Sequence, residues 1–379
     1  MGIISRRLIA FWSSLQLTVC LLIAMGVLVF FMTLYQVETG IYVANQRYFG
    51  QAFIWWQSPW GDIPVFLGGG VLGGLLVVNL LVAHITRFKW TKAKIGLWLT
   101  HAGLLTLLIG SGLSAIQTIE SQMVIQEGQT VSYSEQLRTT ELAIETPLSP
   151  TQNRQWSIPE ALLKPGQVLR PPQLPFELTV THWYQNTRLE MNATVGQGLP
   201  KATHGLGQHI TVFPMPPILR DDFRNQSAVL VTLTQGKQSL GTWLLSTGLG
   251  APQSIVLNGV TYSLSLRPQR VYHPYRIRLD EFSHSYYTDT NTPKHFASEV
   301  TVIEPDGHTH RATISMNHPL RMGGNAHFQA SFGQDGKSTV LQVVSNPGWW
   351  VPYVSTAIMT IGLLIHFGIS LMRYRRQHP

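Results

Sequence analysis

The sequence predicts an integral membrane protein, with four α-helical transmembrane spans (three N-terminal, one C-terminal) and a large β-rich exported domain. Three observations predict it. Charged residues make up 12% of the chain against 44% hydrophobic, whereas soluble proteins carry about 25% charged residues. Four runs, about 11–34, 63–85, 95–116 and 350–372, contain no Asp, Glu, Lys or Arg, and each has the roughly 20 residues a helix needs to cross the hydrocarbon core. Between the third and fourth runs the pattern changes from continuous to alternating apolar residues, the period of a half-buried strand. The chain therefore divides into a membrane region at 1–116, a non-cytoplasmic β-rich domain at 117–348, and a span with a basic tail at 349–379.

The first run is too long for the apolar part of a signal peptide, and no A-x-A-like site follows it, so it reads as an uncleaved anchor. Orientation follows from the basic clusters: Arg6 and Arg7 before span one, Arg87, Lys89, Lys92 and Lys94 between spans two and three, and Arg373, Arg375 and Arg376 after span four. Basic residues stay on the cytoplasmic face. Four spans with both termini inside put all three clusters there, and leave 35–62 and 117–348 outside. Trp55, Trp56, Trp60, Trp349 and Trp350 mark the outer interface, where amphipathic rings sit. The expected location is a multi-pass protein of the cell inner (plasma) membrane or a thylakoid membrane.

The exported domain shows period-two segments at 176–182, 228–234, 261–266, 298–303 and 338–343. Asn258-Gly259, Asp306-Gly307 and Asp335-Gly336 supply hairpin punctuation. These predict stacked antiparallel sheets, with a Pro/Gly-rich loop from Gly196 to Pro217. No nucleophile elbow, His-Glu-x-x-His or P-loop is present. His308-x-His310 would put two imidazoles on one face of a strand, where they could hold a metal; the plainer reading is a solvated hairpin.

The net charge of +8 lies largely in the topology clusters and does not argue for nucleic acid. The single cysteine, Cys20, excludes internal disulfides, a thiol–disulfide oxidoreductase and a Cys-x-x-Cys-His cytochrome c.

Three histidines fall inside spans: His84, His101 and His366. Ionisable groups in lipid are costly and by default mark ligand or ion sites. His101 lies six residues into span three, roughly 9 Å deep at 1.5 Å per residue. All three fall at similar depth near the cytoplasmic side. Neutral imidazole is a strong axial ligand for haem iron, and a bis-histidine haem needs two on different helices. Span two carries Gly69/Gly73 and Gly70/Gly74, and span three Gly96, Gly103 and Gly110, small residues that let helices approach closely. His101 points away from the span-three stripe, toward a partner subunit or a cofactor. The alternatives are a headgroup position for His84 and a hydrogen bond to a neighbouring helix for His366.

The chain resembles the ResB/CcsB family of cytochrome c biogenesis proteins. The resemblance is carried by Phe11-Trp12-Ser13-Ser14 with Leu17-Thr18, Gly96 with His101-Ala102-Gly103, Arg278-Leu279-Asp280-Glu281-Phe282, Tyr286-Tyr287, Pro293, Ser298-Glu299-Val300, Asn317-His318-Pro319-Leu320, Phe328-Gln329-Ala330-Ser331-Phe332 and Asn346-Pro347-Gly348. It implies a role in System II haem handling with a CcsA-like membrane subunit. The pair would move haem b, transiently bound, and deliver it for covalent attachment to apocytochrome c. The chain would be a non-autonomous subunit of a cytochrome c synthase, or haem lyase, complex. The family's functional histidine falls on His101, with the opposite ligand expected from the partner; His84 and His366 are weaker candidates. Trp55-Trp56-Gln57-Ser58-Pro59-Trp60-Gly61-Asp62 looks like the partner family's tryptophan-rich motif but lacks flanking histidines in its loop, so it reads as interfacial anchoring. Thioether formation needs reduced thiols, and with one cysteine here the reductant is expected from thiol-reducing proteins elsewhere. Two other readings stay open: a membrane cytochrome b-type electron-transfer subunit with haem on His84 and His101, and an apocytochrome chaperone without haem contact.

Overall fold

The computed structural model describes residues 3–87, 91–150, 152–191, 200–218, 224–288, 290 and 293–378. Lys89 of the basic loop and residues 196–199 of the Pro/Gly-rich stretch lie outside them. The chain forms two compact units, one built from the residues up to Ile119 and from Asn346 onward, the other from those between Glu120 and Ser345.

The first unit is helical: α1 (Ile3–Trp12), α2 (Leu15–Thr39), α3 (Ile41–Tyr48), α4 (Gly69–Arg87), α5 (Ile95–Gln117) and α6 (Val351–Gln377). Four of these, α2, α4, α5 and α6, are long and apolar enough to cross a membrane. The first apolar run is interrupted. Ser13 and Ser14 separate α1 from α2, and the Ser14 hydroxyl accepts a hydrogen bond from the Leu17 amide at 3.2 Å, satisfying a donor that a helix start leaves open. The fully buried Asn79 of α4 clamps this break. Its Nδ2 donates to the carbonyls of Trp12 (2.7 Å) and Ser14 (3.3 Å), and its Oδ1 accepts from the Thr18 hydroxyl (2.6 Å).

The second span begins later than the apolar run. Ile63 to Leu67 belong to the strand Gly61–Leu67, paired antiparallel with Phe53–Ser58, and the helix starts only at Gly69. β-Branched Ile63 and Val65, with Pro64 between them, suit a strand, and apolarity alone does not separate strand from helix. The remaining 19 residues still make a helix of about 28 Å. Gly68 and Gly69 make the junction possible: a Cβ on Gly68 would stand 1.9 Å from the Gln51 carbonyl oxygen, and one on Gly69 2.4 Å from the Phe49 ring.

The span-three glycine stripe is the seam against α6. A Cβ on Gly96 would lie 2.5 Å from the His366 amide nitrogen, one on Gly103 2.9 Å from the Ser355 carbonyl, and one on Gly110 2.2 Å from Val351. Gly362 returns the fit, facing the Thr100 amide and the Gly96 carbonyl. In α4, by contrast, Gly73 and Gly74 meet nothing within 4 Å among the described residues. Asn346 closes the unit, its Oδ1 accepting from Ser114 of α5 (2.6 Å) and the Gly348 amide (2.8 Å).

The second unit is an antiparallel β domain. A ten-stranded sheet is built on two long strands, Thr130–Ser149 and Val260–Tyr286, which pair with each other. One end of this pair packs with a four-stranded sheet around Leu142, Ile144, Leu178, Val229, Val231, Leu245 and Leu264. The other end, with Pro293–Ile303 and Ser338–Ser345, encloses a second core around Met123, Tyr275, Ile277, Leu279, Val300 and Leu341. Bulges at Pro268/Arg270 and Tyr272/Ile277 bend the long strand between the two cores. All five segments with strand periodicity lie in strands apart from Phe176, one residue before Glu177–Tyr184. Asn258-Gly259, Asp306-Gly307 and Asp335-Gly336 each sit between antiparallel neighbours.

Candidate functional site

Two of the three span histidines come together. His84 sits in the last turn of α4 and His101 near the start of α5. Their ring centres are 6.3 Å apart with planes inclined at 34°. Consecutive antiparallel helices joined by a short connection bring these positions to the same level. Both rings are half-buried within the chain. Trp98, three residues before His101 on the same helix, lies 5.1 Å from His84 and walls the pair.

His101 Nδ1 is 2.8 Å from the Leu97 carbonyl oxygen one turn earlier. A carbonyl only accepts, so Nδ1 carries a proton, and in the neutral ring Nε2 keeps the lone pair through which imidazole ligates a metal. The hydrogen bond also fixes the orientation of the ring.

His366 is placed differently. Its backbone lies in the glycine seam, on the side of α5 that His101 faces away from, since the five residues from Gly96 to His101 turn about 140° past a full circle. Its Nδ1 is buried without a hydrogen-bond partner among the described residues, and its ring meets Phe367 edge-on at 5.7 Å.

The chemistry open to the pair is narrow. Among the described residues no group of three or more His, Cys, Asp or Glu is placed to hold a metal ion, so a metal held here would bring most of its ligands with it. Two metal–imidazole bonds of about 2 Å on opposite sides of one ion put ring centres roughly 6 Å apart. The observed separation is of that size, and an iron porphyrin is a group that takes two protein ligands.

Other predicted positions lie apart from this pair. Trp55 and Trp56 are exposed on the hairpin before α4, and Trp60 at its tip is 92% exposed. His308 lies in the turn before the strand Thr309–Ser315, and His310 Nδ1 is 3.4 Å from Glu304, so the two imidazoles do not share a strand face.

One polar cluster escaped the sequence reading. Fully buried His327 donates from Nδ1 to the Leu320 carbonyl (3.3 Å), and its Nε2 lies 3.2 Å from the Tyr275 hydroxyl. Asn325 donates to that hydroxyl at 3.0 Å, and His273 Nε2 lies 2.9 Å from Ser134 Oγ. Burial pushes both imidazoles down, His327 to about 4. The available signal was His273-x-Tyr275, two polar rings on the inward face of an otherwise apolar alternation.

Apolar spans on either side of an antiparallel β domain define a polytopic membrane protein, and two imidazoles meet on adjacent spans. Residues 238–340, within the β domain, match the model of the ResB-like family. Over 313 residues, 80% of this chain, the sequence is 25% identical to Protein NrfI of Wolinella succinogenes. The chain spans about 30% of that relative's length. The chain is thus similar to ResB-like proteins over part of its β domain.

Proposed function

We propose that this chain serves cytochrome c biogenesis as a haem-handling subunit, taking haem b near the cytoplasmic side and passing it on with a CcsA-like partner for attachment to apocytochrome c. The observation that carries the reading is the 6.3 Å pairing of His84 with His101 on two spans. In this scheme Arg6, Arg7, Arg87, Lys92, Lys94 and the C-terminal arginines lie inside, and the β domain lies on the opposite side of an inner or thylakoid membrane.

His101 would supply one ligand through Nε2, its Nδ1 proton held on the Leu97 carbonyl. His84 would supply the second imidazole, with Trp98 packed beside it at 5.1 Å. Haem would leave by exchange of one of these ligands for one from the partner. A membrane electron carrier could also use this pair, but a path across the membrane needs a second site. All three span histidines lie toward the same side, which favours cargo over conduction.

Replacing His101 with Gly tests this. In the complex with the partner, the variant is expected to lose most of its haem absorption and cytochrome c maturation, with both partly restored by added imidazole. Unchanged haem content and maturation would remove the ligand role.

A further inference from the structure

The strand Val260–Tyr286 has one edge paired with Thr130–Ser149 from Ser263 to Arg278. Its opposite edge is covered in two pieces. Gln253–Leu257 pairs with it only up to Leu264, and Pro293–Ile303 begins only at Arg276. Among the described residues no strand covers the edge from 265 to 275. A cavity of about 380 Å³ opens at this notch, walled by Ser265 to Pro268 and Arg270 on the strand and by the chain from Thr247 to Gln253. Thr247 Oγ1, in that wall, is buried and has no hydrogen-bond partner among the described residues.

The charges beside the notch are already engaged. Arg267 bonds Glu141 (2.9 Å) and Glu145 (2.6 Å), and Arg270 bonds Glu135 (3.2 Å). What the notch offers is backbone: a row of amide and carbonyl groups at strand spacing, interrupted by Pro268 and Pro274, which have no N–H. Such a row is satisfied by another extended backbone. The two prolines also guard against indiscriminate pairing, a common device on open edges.

We infer that this notch binds an extended segment of an unfolded polypeptide, added as a strand to the free edge at 265–275 beside Gln253–Leu257. The identity of that polypeptide as apocytochrome c rests on the function proposed above; the mode of binding does not. Recognition through backbone suits a client that has no fold to present.

The test uses the full-length protein in detergent and a fluorescent peptide of about twelve residues, a length that covers the notch at about 3.3 Å per residue, centred on Cys-x-x-Cys-His. Anisotropy is expected to show saturable binding, weakened at least tenfold when alternate peptide nitrogens are methylated. Ala251→Trp, an exposed position on the cavity wall, is expected to weaken binding by a similar factor with the haem spectrum unchanged. No binding of the parent peptide, equal binding of the methylated one, or an unaffected Ala251→Trp variant would overturn the inference. So would a native dimer that Ala251→Trp converts to monomer, since the occupant would then be a second copy. Peptide binding that persists in a His101→Gly variant with unaltered haem content would defeat the haem reading and leave the notch standing.

Discussion

His327 shows how much one buried side chain can tie to pH. Its two nitrogens are satisfied only in the neutral form: Nδ1 donates to Leu320, and Nε2 accepts from Tyr275, whose oxygen accepts in turn from Asn325. Burial holds its folded-state value near 4, below the ordinary 6.5. The unfolded chain therefore binds the proton first. Stability from this group is complete above pH 6.5 and is lost as pH falls toward 4, by about 3 kcal/mol at 1.36 kcal/mol per pH unit. His273, also pushed down by burial, adds to the same slope. Urea midpoints measured from pH 7 to pH 4 should fall, and fall less in His327→Asn. Asn79 is the corresponding residue in the helical unit. It is charge-neutral and invisible to a search for ionisable groups, yet it holds the α1–α2 break. Asn79→Ala should cost about 1 kcal/mol, the usual scale for interhelical polar contacts in membranes, read as a lower unfolding temperature in detergent.

At the scale of elements, the glycines of α5 form the clearest link between spacing and packing. Three small residues seven apart return to nearly one face, and that face is where α6 lies. Gly96→Leu would drive a side chain into the His366 amide and the Gly362 carbonyl, backbone atoms that cannot step aside. Overpacking of this kind costs about 1–3 kcal/mol. The variant should show a lower unfolding temperature and lower yield, whereas Gly73→Ala, which meets nothing within 4 Å among the described residues, should be close to neutral. Element boundaries were less legible. The apolar run from Ile63 merges a strand with a helix because hydropathy reports burial preference and not backbone conformation. The hairpin's pairing depends on Phe53–Ser58 folding back, a contact outside the run itself.

For the whole molecule, the division into two units carries its own expectation. The β unit has two apolar cores of its own. Residues 120–345 expressed alone should therefore fold, with strand-type circular dichroism and a cooperative thermal transition. A featureless transition would mean that its cores depend on the helical unit.

Sequence alone determined the four apolar helices, the β character of the intervening chain, its hairpin turns and the three span histidines, because hydrophobic period, glycine conformational freedom and the cost of charge in lipid are properties of local sequence. Tertiary structure decided which histidines meet, that Asn79 closes a helix break, and that a long strand keeps an open edge between two cores. Each of those depends on residues far apart in the chain arriving within a few ångströms, and no local period records that distance.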